Sequence, residues 1–219
     1  MDNDFKLGVV LLAAGASRRF EGIKQLASLA DPVSHTNSML QTQPKLRGGF
    51  MLQSALNVLT ELPAHKKLVT IGANKEDILA QIHLPDGVTM CDVPDWEEGI
   101  AASIRKGIST LQDCSHVLIM LADQPDIKLS DYTFLIDECR NNLQNIICAC
   151  YEQKHAVPAI FPASCFGFLR ELKGDKGAGK LLNTDRDLNV IAIPLQRGAC
   201  DIDTQMDLAA WREQNKQKN

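Results

Sequence analysis

Six apolar runs recur along the chain: LGVVLL at 7–12, KLVTIG at 67–72, VTMCDV at 88–93, HVLIML at 116–121, NIICACY at 145–151 and LNVIAI at 188–193. Most are continuously apolar rather than alternating. That pattern predicts strands buried on both faces, hence a mostly parallel sheet with helices on either side. The stretches 51–60, 75–83, 99–111, 130–142 and 204–216 supply the helices, and Asn74, Ser130 and Thr204 stand where a side chain caps a first turn. The β-α alternation predicts an α/β fold, a single three-layer doubly wound domain over residues 1–219.

Two stretches break the rhythm. Residues 30–49, ADPVSHTNSMLQTQPKLRGG, are polar, hold two prolines and a Gly pair, and predict an exposed loop insertion. In 157–180, VPAIFP and a short helix-like ASCFGFLREL lead to GDKGAGK. A Gly- and Lys-rich loop beside a strand end fits half of an active site, since ligands bind at the carboxyl ends of strands in such sheets.

Bulk properties exclude several classes. A net charge of -4 gives no general attraction to polyanions, so no nucleic-acid partner is expected. No apolar stretch approaches the roughly 18 residues a membrane-spanning helix needs, and a cytosolic protein without a membrane partner is predicted. Seven cysteines without a C-x-x-C pair fit neither a disulfide framework nor a zinc knuckle, so they read as reduced core thiols, Cys148 and Cys150 on one strand face. The five histidines show no ligand spacing.

The first run leads into AAGASRRFEGIKQL. Small residues at Ala13, Ala14, Gly15 and Ala16 let the backbone approach a ligand, and successive amides in such a turn form an anion-binding concavity. Arg18, Arg19 and Lys24 add the positive charge suited to a triphosphate. The loop matches neither G-x-G-x-x-G nor a Walker loop; a small-residue turn with a solvated basic face is the competing reading. Farther on, Asp123 closes a buried strand before Gln124-Pro125, and Asp201 and Asp203 share one face of an extended segment. Carboxylates so placed suit Mg²⁺, or alternatively serve as turn and cap residues.

The string LLAAGASRRFEGIKQL resembles the opening motif of nucleotidyltransferases with a MobA-like fold, L-A-[AG]-G-x-S-x-R-[FM] followed five residues after the Arg by a Lys; Arg19 and Lys24 fall on those positions. LADQP at 121–125 and DIDT at 201–204 resemble two motifs of the molybdenum-cofactor cytidylyltransferase, or MocA-like, branch. The resemblance implies a Rossmann-like nucleotidyltransferase fold. It implies a nucleotide held by Leu12, Ala13, Ala14, Gly15, Ala16, Ser17, Arg19, Lys24 and Ser103, with Arg19, Lys24 and Asp123 catalytic. Asp123 and Asp203 are implied as Mg²⁺ ligands, with Asp201 behind them. PDWEEG at 94–99 with Ser103, VPAIFP, and Gly174, Asp175, Lys176 and Gly177 resemble further segments, the last four implying acceptor binding. Ala14 and Gln124 point to the cytidine-using branch. The implied reaction joins CTP to molybdopterin cofactor with release of pyrophosphate, with a molybdenum enzyme or its chaperone as a further partner. The sequence departs from the pattern at Ala156, where the family has Gly, and at Gly179, where it has Arg or Lys; Lys180 follows one place later. A same-fold nucleotidyltransferase acting on a sugar phosphate or other small phosphorylated acceptor, and a non-catalytic nucleotide- or cofactor-binding chaperone, stay open.

Overall fold

The computed structural model describes residues 5–30, 49–184 and 188–216. The first apolar run forms strand β1 (Leu7–Leu12), every residue of it buried. It is followed by α1 (Met51–Glu61), β2 (Lys66–Ile71), α2 (Lys75–Gln81), β3 (Val88–Asp92), α3 (Ile100–Thr110) and β4 (His116–Leu121). The second half comprises α4 (Leu129–Asn141), β5 (Ile146–Tyr151), β6 (Lys154–Pro162), α5 (Phe166–Arg170), α6 (Ala178–Thr184), β7 (Val190–Pro194) and α7 (Gln205–Lys216).

The seven strands form one sheet in the order β3-β2-β1-β4-β6-β5-β7. The chain starts at β1, steps outward through β2 and β3, then crosses back to pair β4 parallel on the other side of β1. That reversal makes the carboxyl ends of β1 and β4 the crevice of the fold. Alternate side chains of β1 enter opposite cores. Leu7, Val9 and Leu11 pack with α1, α2 and α4, whereas Val10 and Leu12 pack with α3, α5 and α6. The sheet is therefore the middle of three layers, and continuous apolarity in β1 and β4 reflects burial on both faces.

Three expectations are corrected. The sequence pattern omits β6 from the alternation, yet it is the longest strand and runs antiparallel to both β4 and β5. Its polar first half and two prolines hide it. Pro158 sits where the pairing with β5 shifts register, so its missing N–H removes no regular ladder bond. Helix α4 is not capped by Ser130: Lys128 precedes the helix and donates its backbone N–H to Asp131 Oδ2 at 2.8 Å. Asn74 adopts a left-handed conformation and makes no side-chain cap bond. The base of the predicted insertion is closed by a bridge between Ser28 and Phe50; residues 31–48 lie outside the described residues. Among the described residues, no helix is long and apolar enough to cross a membrane.

Gly107 marks how tightly α3 lies on the sheet, because a Cβ there would stand 2.7 Å from Val10 Cγ2. Alanine is intrinsically better in a helix by about 1 kcal/mol. Forcing a methyl against a β-branched core residue costs about 1–3 kcal/mol. Gly107→Ala is thus expected to destabilise the protein despite improving helix propensity; urea denaturation checks the sign.

Candidate active site

Where β1 ends, its backbone is clamped to β2 and the residues after it: Ala13 N–H donates to the Thr70 carbonyl at 3.1 Å, and Ala73 N–H donates to the Ala14 carbonyl at 2.9 Å. Ser17 then takes a positive φ of 53°, and Phe20 N–H closes a turn on the Ser17 carbonyl at 2.8 Å. Curled this way, the loop turns its amides away from secondary-structure partners. Among the described residues, the N–H groups of Ala14, Gly15, Ala16 and Ser17 meet no protein acceptor. They border a cleft of about 420 Å³. A row of free amides is an anion site in its own right.

Opposite charges meet at the end of this loop. Lys24 Nζ donates to Asp123 Oδ2 at 2.7 Å and to Asp203 Oδ1 at 3.2 Å, joining residues 99 and 179 positions away. Its side chain is only 12% exposed. Burial by itself would lower the Lys24 pKa, but Asp123 and then Asp203 outweigh it, and the ammonium is held above its ordinary 10.5. Arg19, largely exposed, donates to Asp203 Oδ2 at 2.7 Å.

Local packing puts these groups together. Phe20, Met51, Ile202 and Leu208 form a small apolar knot that ties the loop to the 201–204 segment and α7. Ile202 N–H donates to the Asp123 carbonyl at 3.0 Å, so the two carboxylate-bearing segments are joined through their backbones. Thr204 and Asp207 cap α7 reciprocally: Asp207 N–H donates to Thr204 Oγ1 at 3.1 Å, and Asp207 Oδ2 accepts from the amides of Asp203 and Thr204. Asp201 keeps much of its surface in solvent, yet its carboxyl is pushed up to about 6, by partial loss of hydration first and then by the charge on Asp123. It does not border the cleft.

The facing wall comes from the start of α3. Trp96 packs on Ala14, Val93 and Ala102 and borders the cleft together with buried Ser103. Glu98 is gripped by Arg105 and also accepts from Gly174 N–H at 3.2 Å; that Arg105 pairing above all holds its carboxyl down at about 2. Gly99 has φ 119°, and a Cβ there would stand 2.4 Å from Asp175 Oδ1, so only glycine lets the 174–177 loop close on α3.

Of the residues marked by the sequence, Leu12 to Ser17, Arg19, Lys24, Ser103, Asp123, Asp175 and Asp203 border this one cleft, as does Arg18. Gly174 and Gly177 instead support the loop, the first through its carbonyl to Ala101 N–H, the second beside Ile100. Lys176 and Lys180 border a separate depression with Lys173. Gln124 is buried and donates to Tyr151 Oη at 3.2 Å and the Gly198 carbonyl at 3.0 Å, so it does not border the cleft. Among the cleft residues that the sequence did not mark is buried Gln25, whose Nε2 donates to the carbonyls of Ala13 and Gly15. Its only sequence signal is its place next to Lys24.

Lys24→Met removes the cation between two carboxylates and is expected to destabilise the fold by about 1–3 kcal/mol near neutral pH, between the exposed and buried limits for ion pairs. Lys24→Met/Asp123→Asn should recover much of that loss in a double-mutant denaturation cycle. Because the Lys24 pKa is raised in the fold, its contribution is fully present below 10.5 and disappears only as the pH climbs through the folded value.

Residues 9–189 match the model of the MobA-like NTP transferase domain. The chain is 26% identical over 197 residues to the purine catabolism protein PucB of Bacillus subtilis, covering 84% of this chain and 83% of that protein. The structure of Rv0371c from Mycobacterium tuberculosis superposes with a TM-score of 0.77 at 26% identity, covering 97% of this chain and all of that one. Molybdopterin-guanine dinucleotide biosynthesis protein A of Archaeoglobus fulgidus, 15% identical with a TM-score of 0.67 over 96% of this chain and 99% of that one, shares the fold. The chain is a member of the MobA-like NTP transferase family, with a nucleotidyltransferase fold in which the loop after β1, its basic residues and the paired carboxylates meet at the crevice between β1 and β4.

Proposed function

We propose that this cleft transfers CMP from CTP to the phosphate of molybdopterin cofactor, with Mg²⁺, releasing pyrophosphate. The observation that carries the proposal is the convergence of the free loop amides with Arg19, Lys24, Asp123 and Asp203. An idle nucleotide carrier has no need of two carboxylates beside a triphosphate cradle.

The donor set fits the metal. Asp123 Oδ1 is buried without a hydrogen-bond partner, and Asp203 faces the same ammonium as Asp123. Among the described residues no three His, Cys, Asp or Glu side chains converge, which suits Mg²⁺, an ion held by one or two carboxylates plus substrate phosphates and water. Bound by Asp123 and Asp203, it supplies positive charge beside the phosphates.

The protein's own part is positioning and charge. The amides of Ala14 to Ser17 and the Arg19 guanidinium receive the β- and γ-phosphates. The acceptor phosphate oxygen attacks the α-phosphorus; the bond to the bridging oxygen breaks, and its electron pair leaves with pyrophosphate. Lys24 lies within reach of the charge that develops there.

The preference for CTP rests on Ala14 and Gln124, and Gln124 exerts it through the backbone it anchors, since its side chain is committed to Tyr151 and Gly198. An anionic acceptor is supported by Lys173, Lys176 and Lys180 around a depression formed partly by the loop that carries Asp175. Pyrophosphate release should appear with CTP and Mg²⁺ only when molybdopterin cofactor is present, and should be much weaker with ATP, GTP or UTP. Release with GTP instead of CTP overturns the base assignment; release with CTP and a sugar phosphate but not the cofactor overturns the acceptor.

A further inference from the structure

We propose that Gln25 is the positioning residue of the phosphate loop, fixing its peptide planes so that consecutive amides face the ligand. The inference rests on reading that loop as a triphosphate cradle. Gln25 is 5% exposed and sits in the short 3₁₀ turn Lys24–Leu26, so the turn that delivers Lys24 to the carboxylates delivers its neighbour to the loop. Gln25 Nε2 donates to the Ala13 carbonyl at 2.9 Å and to the Gly15 carbonyl at 2.8 Å. Both partners only accept, which settles that the nitrogen, not the oxygen, of the side-chain amide faces them.

Peptide planarity turns these two contacts into an orientation. In a trans peptide the C=O and the N–H that follows point in opposite directions. With the carbonyls of Ala13 and Gly15 drawn to Gln25, the amides of Ala14 and Ala16 point away from it. The intervening carbonyl, of Ala14, is drawn to Ala73 N–H, which aims the Gly15 amide away from Ala73. Three successive planes are thereby fixed, two of them by one side chain. Gln25 Oε1 is buried and has no hydrogen-bond partner. A space-filling Leu or Met would carry no such penalty, so the two donated bonds, not packing, account for a glutamine here.

The test uses inorganic tripolyphosphate as a probe of the cradle alone, titrated into the full chain and followed by the amide resonances of Ala14, Gly15 and Ala16 and by calorimetry. Wild-type protein should bind it with shifts at those amides. Gln25→Met, with Gln25→Leu as a second shape in case one variant does not fold, should bind about tenfold or more weakly, with core resonances and melting temperature little changed. Wild-type affinity in the variants overturns the positioning role. Resonance changes spread through the core overturn it too, because they report a packing defect. If wild-type protein itself does not bind tripolyphosphate, the cradle reading falls, and this inference with it.

Discussion

The Lys24 ammonium lies between Asp123 and Asp203, and much of the molecule is arranged around that contact. Two carboxylates brought close repel, and neither keeps full hydration against the sheet, so the fold needs a cation between them. Lys24 supplies it from the loop after β1. The ammonium therefore joins three segments far apart in sequence: the loop after β1, the end of β4 and the entry to α7. The apolar knot around Ile202 and the reciprocal cap of Thr204 and Asp207 hold Asp203 where the contact requires. On the proposed function, a substrate that brings a metal ion provides a second cation for the same carboxylates and frees Lys24 for the phosphates.

The remainder of the site is backbone geometry held by side chains. The loop is clamped by Thr70 of β2, by Ala73 just beyond that strand and by Gln25 from its own turn. Across the cleft, the start of α3 is fastened by Arg105 on Glu98 and by the close fit of Gly99 against Asp175. Rigid walls suit a reaction in which the protein supplies no nucleophile and works by placing charge.

Much of this was legible in the sequence for a physical reason. Strands buried on both faces must be continuously apolar, so β1, β2 and β4 stand out, and the position of Asp123 at the end of β4 follows. The hydrophobic pattern alone missed β6 because its two prolines read as a break, and only the family resemblance marked VPAIFP; the register shift opposite Cys148 and Ala149 lets Pro158 stay in the sheet. Ser130 looked like a cap because the true boundary is set by Lys128 and Asp131. Gln25 left no trace because its partners are main-chain carbonyls, which carry no residue identity. The meeting of Asp123 with Asp203 follows from no spacing rule; their shared suitability for Mg²⁺ and the resemblance to a family pattern brought the two together before the fold did.

The central claim is that the loop and the two carboxylates act as one site for a triphosphate and its metal ion. Linkage measures it directly: the affinity for CTP determined with and without Mg²⁺, in wild-type protein and in Asp123→Asn/Asp203→Asn. Mg²⁺ is predicted to tighten CTP binding in the wild type by at least about tenfold, within the ordinary range of coupling between sites, and to leave the double variant nearly unaffected. Equal Mg²⁺ dependence in both proteins would contradict the account.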